Sequence, residues 1–183
     1  MIDRGQEVLN ALRSIGLGPK KTRRAPVQEV IRKETPSMEF LPILKCWPDD
    51  GGRFITLPQV ITRDPQTNTR NVGMYRLQVL DERRLLVHWQ RHKGGAEHER
   101  VARRARKEKI PCAIVLGVDP ASMWCASAPL PPDIDEYLLA GYLRGAPVEF
   151  VDCLTLQLEV PAQAEIVLEG YDYRLRRNFQ RQG

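Results

Sequence analysis

Proline, glycine and aspartate cut the chain after Arg53 into short apolar stretches with an every-second-residue period. This confines it to an architecture built on short strands. The period predicts a strand over Phe54 to Arg63, with Pro58 marking an edge or a bulge. Two more strands, Asn71 to Leu80 and Leu85 to Gln90, flank the charged turn Asp81-Glu82-Arg83-Arg84. Cys112 to Gly117 reads as a fully apolar strand, Val148 to Val160 as one long alternating strand, and Glu165 to Leu168 as a last β-like piece. Helical signals fall irregularly between these. Val8, Leu9, Leu12 and Ile15 predict a short amphipathic helix over 3–15. Ala96 to Lys109 predicts a second, stopped near Ile110 because Pro111 follows. Asp133 as N-cap and Gly145 as terminator frame another. Strands outnumber helices without a regular βαβ winding, so the expected class is α+β, a β-barrel with two or three helices packed outside.

At 183 residues the chain suits one well-buried domain. Its longest apolar run, Cys112 to Val118, is far below the roughly 20 residues of a membrane helix. The opening Met1-Ile2-Asp3-Arg4 carries no leader pattern. We therefore expect a cytoplasmic protein without a membrane span. The net charge of +5 is unevenly placed. Residues 1–33 and 91–109 each hold eight basic and three acidic groups, and residues 172–183 hold four and one. The remainder is acidic, which argues against a nucleic-acid partner. Cys46, Cys112, Cys125 and Cys153 contain no CxxC pair, so free thiols are expected.

The residues alone offer scattered chemistry. His88, His92 and His98 fall within eleven positions. On a strand, four residues span roughly 13 Å, so His88 and His92 cannot share one ion; each also reads as a plain surface or core histidine. Lys93-Gly94-Gly95 before a helix can cradle a phosphate or can be only a turn. The run Arg100, Arg103, Arg104, Arg106, Lys107, Lys109 lacks interleaved aromatic residues and reads as a solvated face. Glu136 can serve the dipole of its helix.

Several segments, in order, resemble the UbiD family of decarboxylases. They are Leu44-Lys45-Cys46-Trp47-Pro48-Asp49-Asp50, Ile61-Thr62-Arg63-Asp64-Pro65, Asn71-Val72-Gly73-Met74-Tyr75-Arg76 and His88-Trp89-Gln90-Arg91-His92-Lys93-Gly94-Gly95-Ala96. Asp135-Glu136-Tyr137, Leu143-Arg144-Gly145 and the stretch Leu158 to Gly170 follow. The resemblance runs from about Pro36 to Tyr171. It implies a split β-barrel of the flavin-reductase type that binds prenylated FMN with a divalent metal, usually Mn2+, and often K+. It implies metal ligands at Asn71, His92 and Glu136. It implies cofactor contacts at Met74, Tyr75, Arg76, His88, Trp89, Gln90, Lys93 and Gly94. Arg76 matches the family's active-site arginine, expected to orient the carboxylate of an aromatic or α,β-unsaturated acid.

The same resemblance divides the chain into an N-terminal helix and basic linker (1–35), a cofactor-binding domain (36–171) and a divergent basic tail (172–183). The family's Glu-Gly-Pro-x-Gly-Asp/Glu motif, with its proton-donating acid, has no counterpart after Tyr171. Glu165 and Glu169 precede its place and are not candidates for that role. Two expectations follow: the cofactor- and metal-binding part of a truncated or split decarboxylase, or an inactive assembly subunit pairing with separately encoded domains. A homo-oligomer, and a flavin prenyltransferase as cofactor supplier, are the other partners implied.

Overall fold

The computed structural model describes residues 11, 14–90, 94–131 and 134–173. The helix expected over 3–15 lies mostly outside them, as do His92, Lys93 and Asp133. The class is α+β. In chain order the strands are β1 (Lys20–Lys21), β2 (Phe54–Ile55), β3 (Gln59–Arg63), β4 (Arg70–Met74), β5 (Leu77–Val79), β6 (Leu85–Val87), β7 (Lys109–Leu116), β8 (Glu149–Asp152), β9 (Glu159–Pro161) and β10 (Ile166–Tyr173). The helices are α1 (Gly94–Arg104), α2 (Pro120–Cys125) and α3 (Glu136–Arg144).

The strands form three open sheets. The largest has the order β10-β7-β3-β4 and is antiparallel throughout. The others are β2-β5-β6 and β1-β8-β9, the latter with a parallel β1–β8 pair. Both faces of the four-stranded sheet are covered. Ile61, Val72, Ala113 and Val115 join Tyr137, Phe150 and Val160 in one core. Val60, Ile114, Leu116 and Leu168 join Ile55, Tyr75, Leu77 and Trp89 in another. The two-residue period of a strand sends neighbours such as Val60 and Ile61 to opposite sides. In the first core the Tyr137 and Phe150 rings meet edge to face at 4.7 Å. The Tyr137 hydroxyl donates to Gln59 Oε1 at 2.6 Å, and Gln59 Nε2 donates to the Ser122 carbonyl at 2.6 Å. Buried Gln59 is thus satisfied on both sides, as a buried amide must be.

Several expected boundaries are corrected. The strand expected over Phe54 to Arg63 is two strands in different sheets, parted at Leu57-Pro58. Proline cannot donate to a ladder, and the chain changes sheet there. Asn71 to Leu80 divides in the same way at Tyr75-Arg76 into β4 and β5. Val148 to Val160 is a hairpin rather than one strand: Phe150 pairs with Pro161, and Asp152 with Glu159. The second helix ends at Arg104 instead of Lys109, and Arg106 takes a left-handed φ of 55°. The strand after it begins at Lys109 and runs through Pro111, in a part of β7 flanked by β10 but not by β3. The last strand extends to Tyr173 because it pairs with β7 along its full length. Helix α2 was not anticipated; Asp119 caps it, accepting the Ser122 N–H at 3.0 Å behind Pro120.

Candidate functional site

The edge strand β4 and the first turns of α1 and α3 meet at one place. Strand β4 carries Asn71, half-buried, and Tyr75 follows it with 3% of its surface exposed. Helix α1 opens with Gly94-Gly95. A Cβ at Gly94 would overlap the Asn71 side-chain oxygen, and one at Gly95 would overlap the Trp89 indole. Packing therefore requires both glycines, whatever else the loop does. The Gly95 N–H donates to the Tyr75 hydroxyl at 3.0 Å, so one of the helix's unpaired N–H groups already has a partner. Trp89 and Tyr75 pack edge to face at 4.7 Å.

Helix α3 brings Glu136. Its N-cap is Asp135, whose carboxylate accepts the Tyr137 N–H at 2.9 Å; this corrects the expectation of Asp133. Arg70 also pairs with Asp135, and approaches Glu159 at 3.7 Å. Its guanidinium lies 4.8 Å above the Phe150 ring. The strand end that precedes Asn71 is thereby fixed to the helix end that carries Glu136. Burial pushes the Glu136 carboxyl up to about 7, aided by the neighbouring Asp135 charge. The N–H groups of Glu136 and Val72, and the Arg70 charge, work against that rise. Since Val72 donates to Glu136 and adjoins Asn71, the two expected ligands are neighbours. Burial likewise raises Tyr75, against the Gly95 N–H and the Asn71 side chain.

Two side-chain atoms here, Asn71 Nδ2 and Glu136 Oε2, are buried without a hydrogen-bond partner, as is Arg70 Nε. Unpaired buried polar atoms are costly, so this is a place built to receive something. Glu136 Oε2 is an acceptor that suits a hard cation, whereas Asn71 Nδ2 is an N–H donor; Asn71 can ligate a cation only through its side-chain oxygen, the atom that faces Gly94. Among the described residues, no three His, Cys, Asp or Glu side chains cluster as a metal site. Asn71 is not one of those side-chain types, and His92 lies outside the described residues.

The other expected contacts distribute as follows. Met74 is half-buried, its backbone N–H on the Ala126 carbonyl and its sulfur 3.7 Å from the Ser127 hydroxyl. His88 and Gln90 are exposed, and the His88 N–H donates to the Arg76 carbonyl at 3.2 Å. Arg76 is exposed and its guanidinium stands 4.9 Å from the Phe54 ring centroid, with no ion pair to a carboxylate among the described residues. Lys93 lies outside them. His98, by contrast, is a core residue: 6% exposed, with Nδ1 2.8 Å from Thr62 Oγ1. Glu169 accepts the Leu154 and Thr155 N–H groups at 2.7 and 2.6 Å, so it holds a hairpin turn. The supporting roles of Arg70, Asp135 and Phe54 were missed from sequence. Two acids directly before an amphipathic helix are a legible cap signal; an arginine on a remote strand is not.

Known proteins share the sequence pattern and the fold. The family model of the UbiD 3-octaprenyl-4-hydroxybenzoate carboxy-lyase Rift-related domain matches residues 19–178. An uncharacterized protein of Aquifex aeolicus is 55% identical over 153 residues, covering 84% of this chain and 31% of that protein. One of Archaeoglobus fulgidus is 47% identical over 175 residues, covering 92% and 36%. The UbiD-class enzyme HmfF from Pelotomaculum thermopropionicum, in complex with FMN, superposes with a TM-score of 0.81 at 34% identity, over 90% of this chain and 37% of that one. The vanillic acid decarboxylase of Sedimentibacter hydroxybenzoicus, in closed form, gives 0.80 at 31% identity, over 92% and 37%. The chain spans about a third of the length of the relatives it matches.

Proposed function

Since the chain belongs to the UbiD family, we propose that it supplies the cofactor- and metal-binding part of a non-oxidative decarboxylase acting on an aromatic or α,β-unsaturated carboxylic acid. The observation that carries this reading is the convergence of Asn71, Glu136 and Gly94, with the acceptor Glu136 Oε2 buried and unpaired. In this reading Asn71, His92 and Glu136 hold a divalent cation, Mn2+ by preference for hard oxygen donors, and K+ binds nearby. Lys93 and Gly94 hold the cofactor phosphate at the start of α1. Met74, Tyr75, Arg76, His88, Trp89 and Gln90 line the flavin. In this reading the fold is a variant of the split β-barrel of the flavin-reductase type.

Prenylated FMN, when bound, supplies the electron sink on which loss of carbon dioxide depends. The chain's own residues bind and orient. Arg76 presents a guanidinium whose planar fork matches a carboxylate, and Phe54 beneath it limits its rotation. The two cores exclude water behind the site. The setting is cytoplasmic, with a flavin prenyltransferase as supplier and further UbiD domains, in a homo-oligomer or as separate chains, as partners. Purified protein incubated with prenylated FMN and Mn2+ is expected to retain flavin absorbance through desalting, and Glu136→Ala to lose it. Retention of no flavin by the unaltered protein sinks the reading.

A second reading is favoured by the surroundings of Arg76. No described carboxylate pairs with it, and Glu169 is spent on a turn. A chain that holds the cofactor but returns no proton is then a non-catalytic subunit. Flavin retention without carbon dioxide release from aromatic acids, restored by adding the rest of a UbiD protein, distinguishes this from a self-sufficient enzyme.

A further inference from the structure

Strand β10 carries two half-buried acids on opposite faces, and Asp172 is the one on the face of Leu168 and Trp89. Asp172 pairs in register with Ile110 of β7 and is half-buried near Cys112, on a cleft it shares with Glu99, Arg103, Lys107 and Lys109. Its side-chain hydrogen bond comes from Trp89, whose indole Nε1 donates to Asp172 Oδ2 at 3.2 Å. No ion pair to a lysine or arginine compensates it among the described residues, the Glu99 charge opposes it, and burial raises its carboxyl. A carboxylate kept in such a place costs stability unless it does something else.

What it does is visible in the indole it holds. The Trp89 ring fills the space above Gly95 and stands edge to face on Tyr75. The Tyr75 hydroxyl in turn accepts the Gly95 N–H. The indole is the spacer between β10 and the opening turn of α1. Without a fixed acceptor at Nε1, the ring has no polar constraint on its rotation about the side-chain torsions.

We propose that Asp172 is a positioning residue for the cofactor end of α1, acting through Trp89. The proposal rests on the reading that the start of α1 holds the cofactor phosphate. The step is mechanical: the carboxylate orients the indole, the indole and Tyr75 seat Gly95, and Gly94 stays where it meets both Asn71 and an incoming phosphate. The remote partner of a binding group typically alters affinity by about 10- to 100-fold when removed.

The test uses FMN itself as probe, titrated in the presence of Mn2+ and followed by flavin fluorescence anisotropy, with Asp172→Asn, Asp172→Leu and Trp89→Phe. Asparagine keeps an acceptor and is expected to bind FMN within about twofold of the unaltered protein. Leucine removes the buried acid, so its thermal midpoint should equal or exceed that of the unaltered protein, while FMN binding weakens about tenfold. Trp89→Phe should weaken it similarly. In a background where Trp47 and Trp124 are replaced by Phe, Asp172→Leu should also shift the emission of the remaining indole, and Asp172→Asn should not. If Asp172→Leu binds FMN as tightly as the unaltered protein, or Asp172→Asn weakens it equally, the positioning role is wrong. If the unaltered protein binds no FMN at all, the cofactor reading falls and this proposal with it.

Discussion

His98 is the residue whose surroundings differ most from its neighbours in sequence. Of three histidines within eleven residues, each readable as a plain surface or core histidine, His88 is exposed and His98 is enclosed beside Thr62. Burial lowers the His98 pKa from 6.5, against the Asp64 and Glu97 charges. A histidine kept neutral in the folded state binds fewer protons there than in the unfolded chain below pH 6.5. Its contribution is therefore complete above the unfolded value and is lost as pH falls from 6.5 through the lower folded one. Urea midpoints should drop between pH 7.5 and 5.5, and the drop should shrink in His98→Gln. An undiminished drop in that variant assigns the effect to other groups. At this scale the sequence was legible where a residue's role is local: Gly145 does end α3, at φ 66°. It was not legible where the partner is remote. Nothing within ten residues of Asp172 announces Trp89, and nothing near Arg76 announces Phe54.

Among the elements, α3 shows how a short helix is anchored at its start. Asp135 does two jobs, accepting the Tyr137 N–H and pairing with Arg70. Asp135→Ala should cost about 1–2 kcal/mol in urea unfolding, at the upper end of N-cap losses, because Arg70 is left buried without its nearest acid. Asp135→Asn should recover most of the capping part. A loss in Asp135→Ala no larger than for an exposed acid such as Glu82 would show that Glu159 alone suffices as the counterion of Arg70. Element type was readable from periodicity almost everywhere, but continuity was not. The Val148 to Val160 alternation keeps its phase across the turn between β8 and β9, so a hairpin and a single strand have the same apolar signature. The long helix expected over Ala96 to Lys109 reflects composition: Arg103 to Lys109 are helix formers, but all of them are exposed. With no apolar face to bury, propensity alone does not sustain the last turns.

For the whole molecule, the decisive arrangement is a central sheet covered on both sides. Val60, Ile61, Ala113 and Val115 have no exposed surface. Amide exchange should be slowest in β3 and β7, the two inner strands, and fast over Glu29 to Pro36, where every residue is exposed. Faster exchange in β7 than in the two-residue β2 would contradict this order of stabilities.

Arg70 and Asp135 stand 65 positions apart in the chain, and Asn71 and Glu136 follow directly behind them. The space between those two side chains thus does not exist until most of the domain has been synthesised and a long loop has been closed at its full entropic cost. Whatever occupies that space binds only the finished fold and repays part of the closure. The supply of such a ligand then acts on the yield of folded protein.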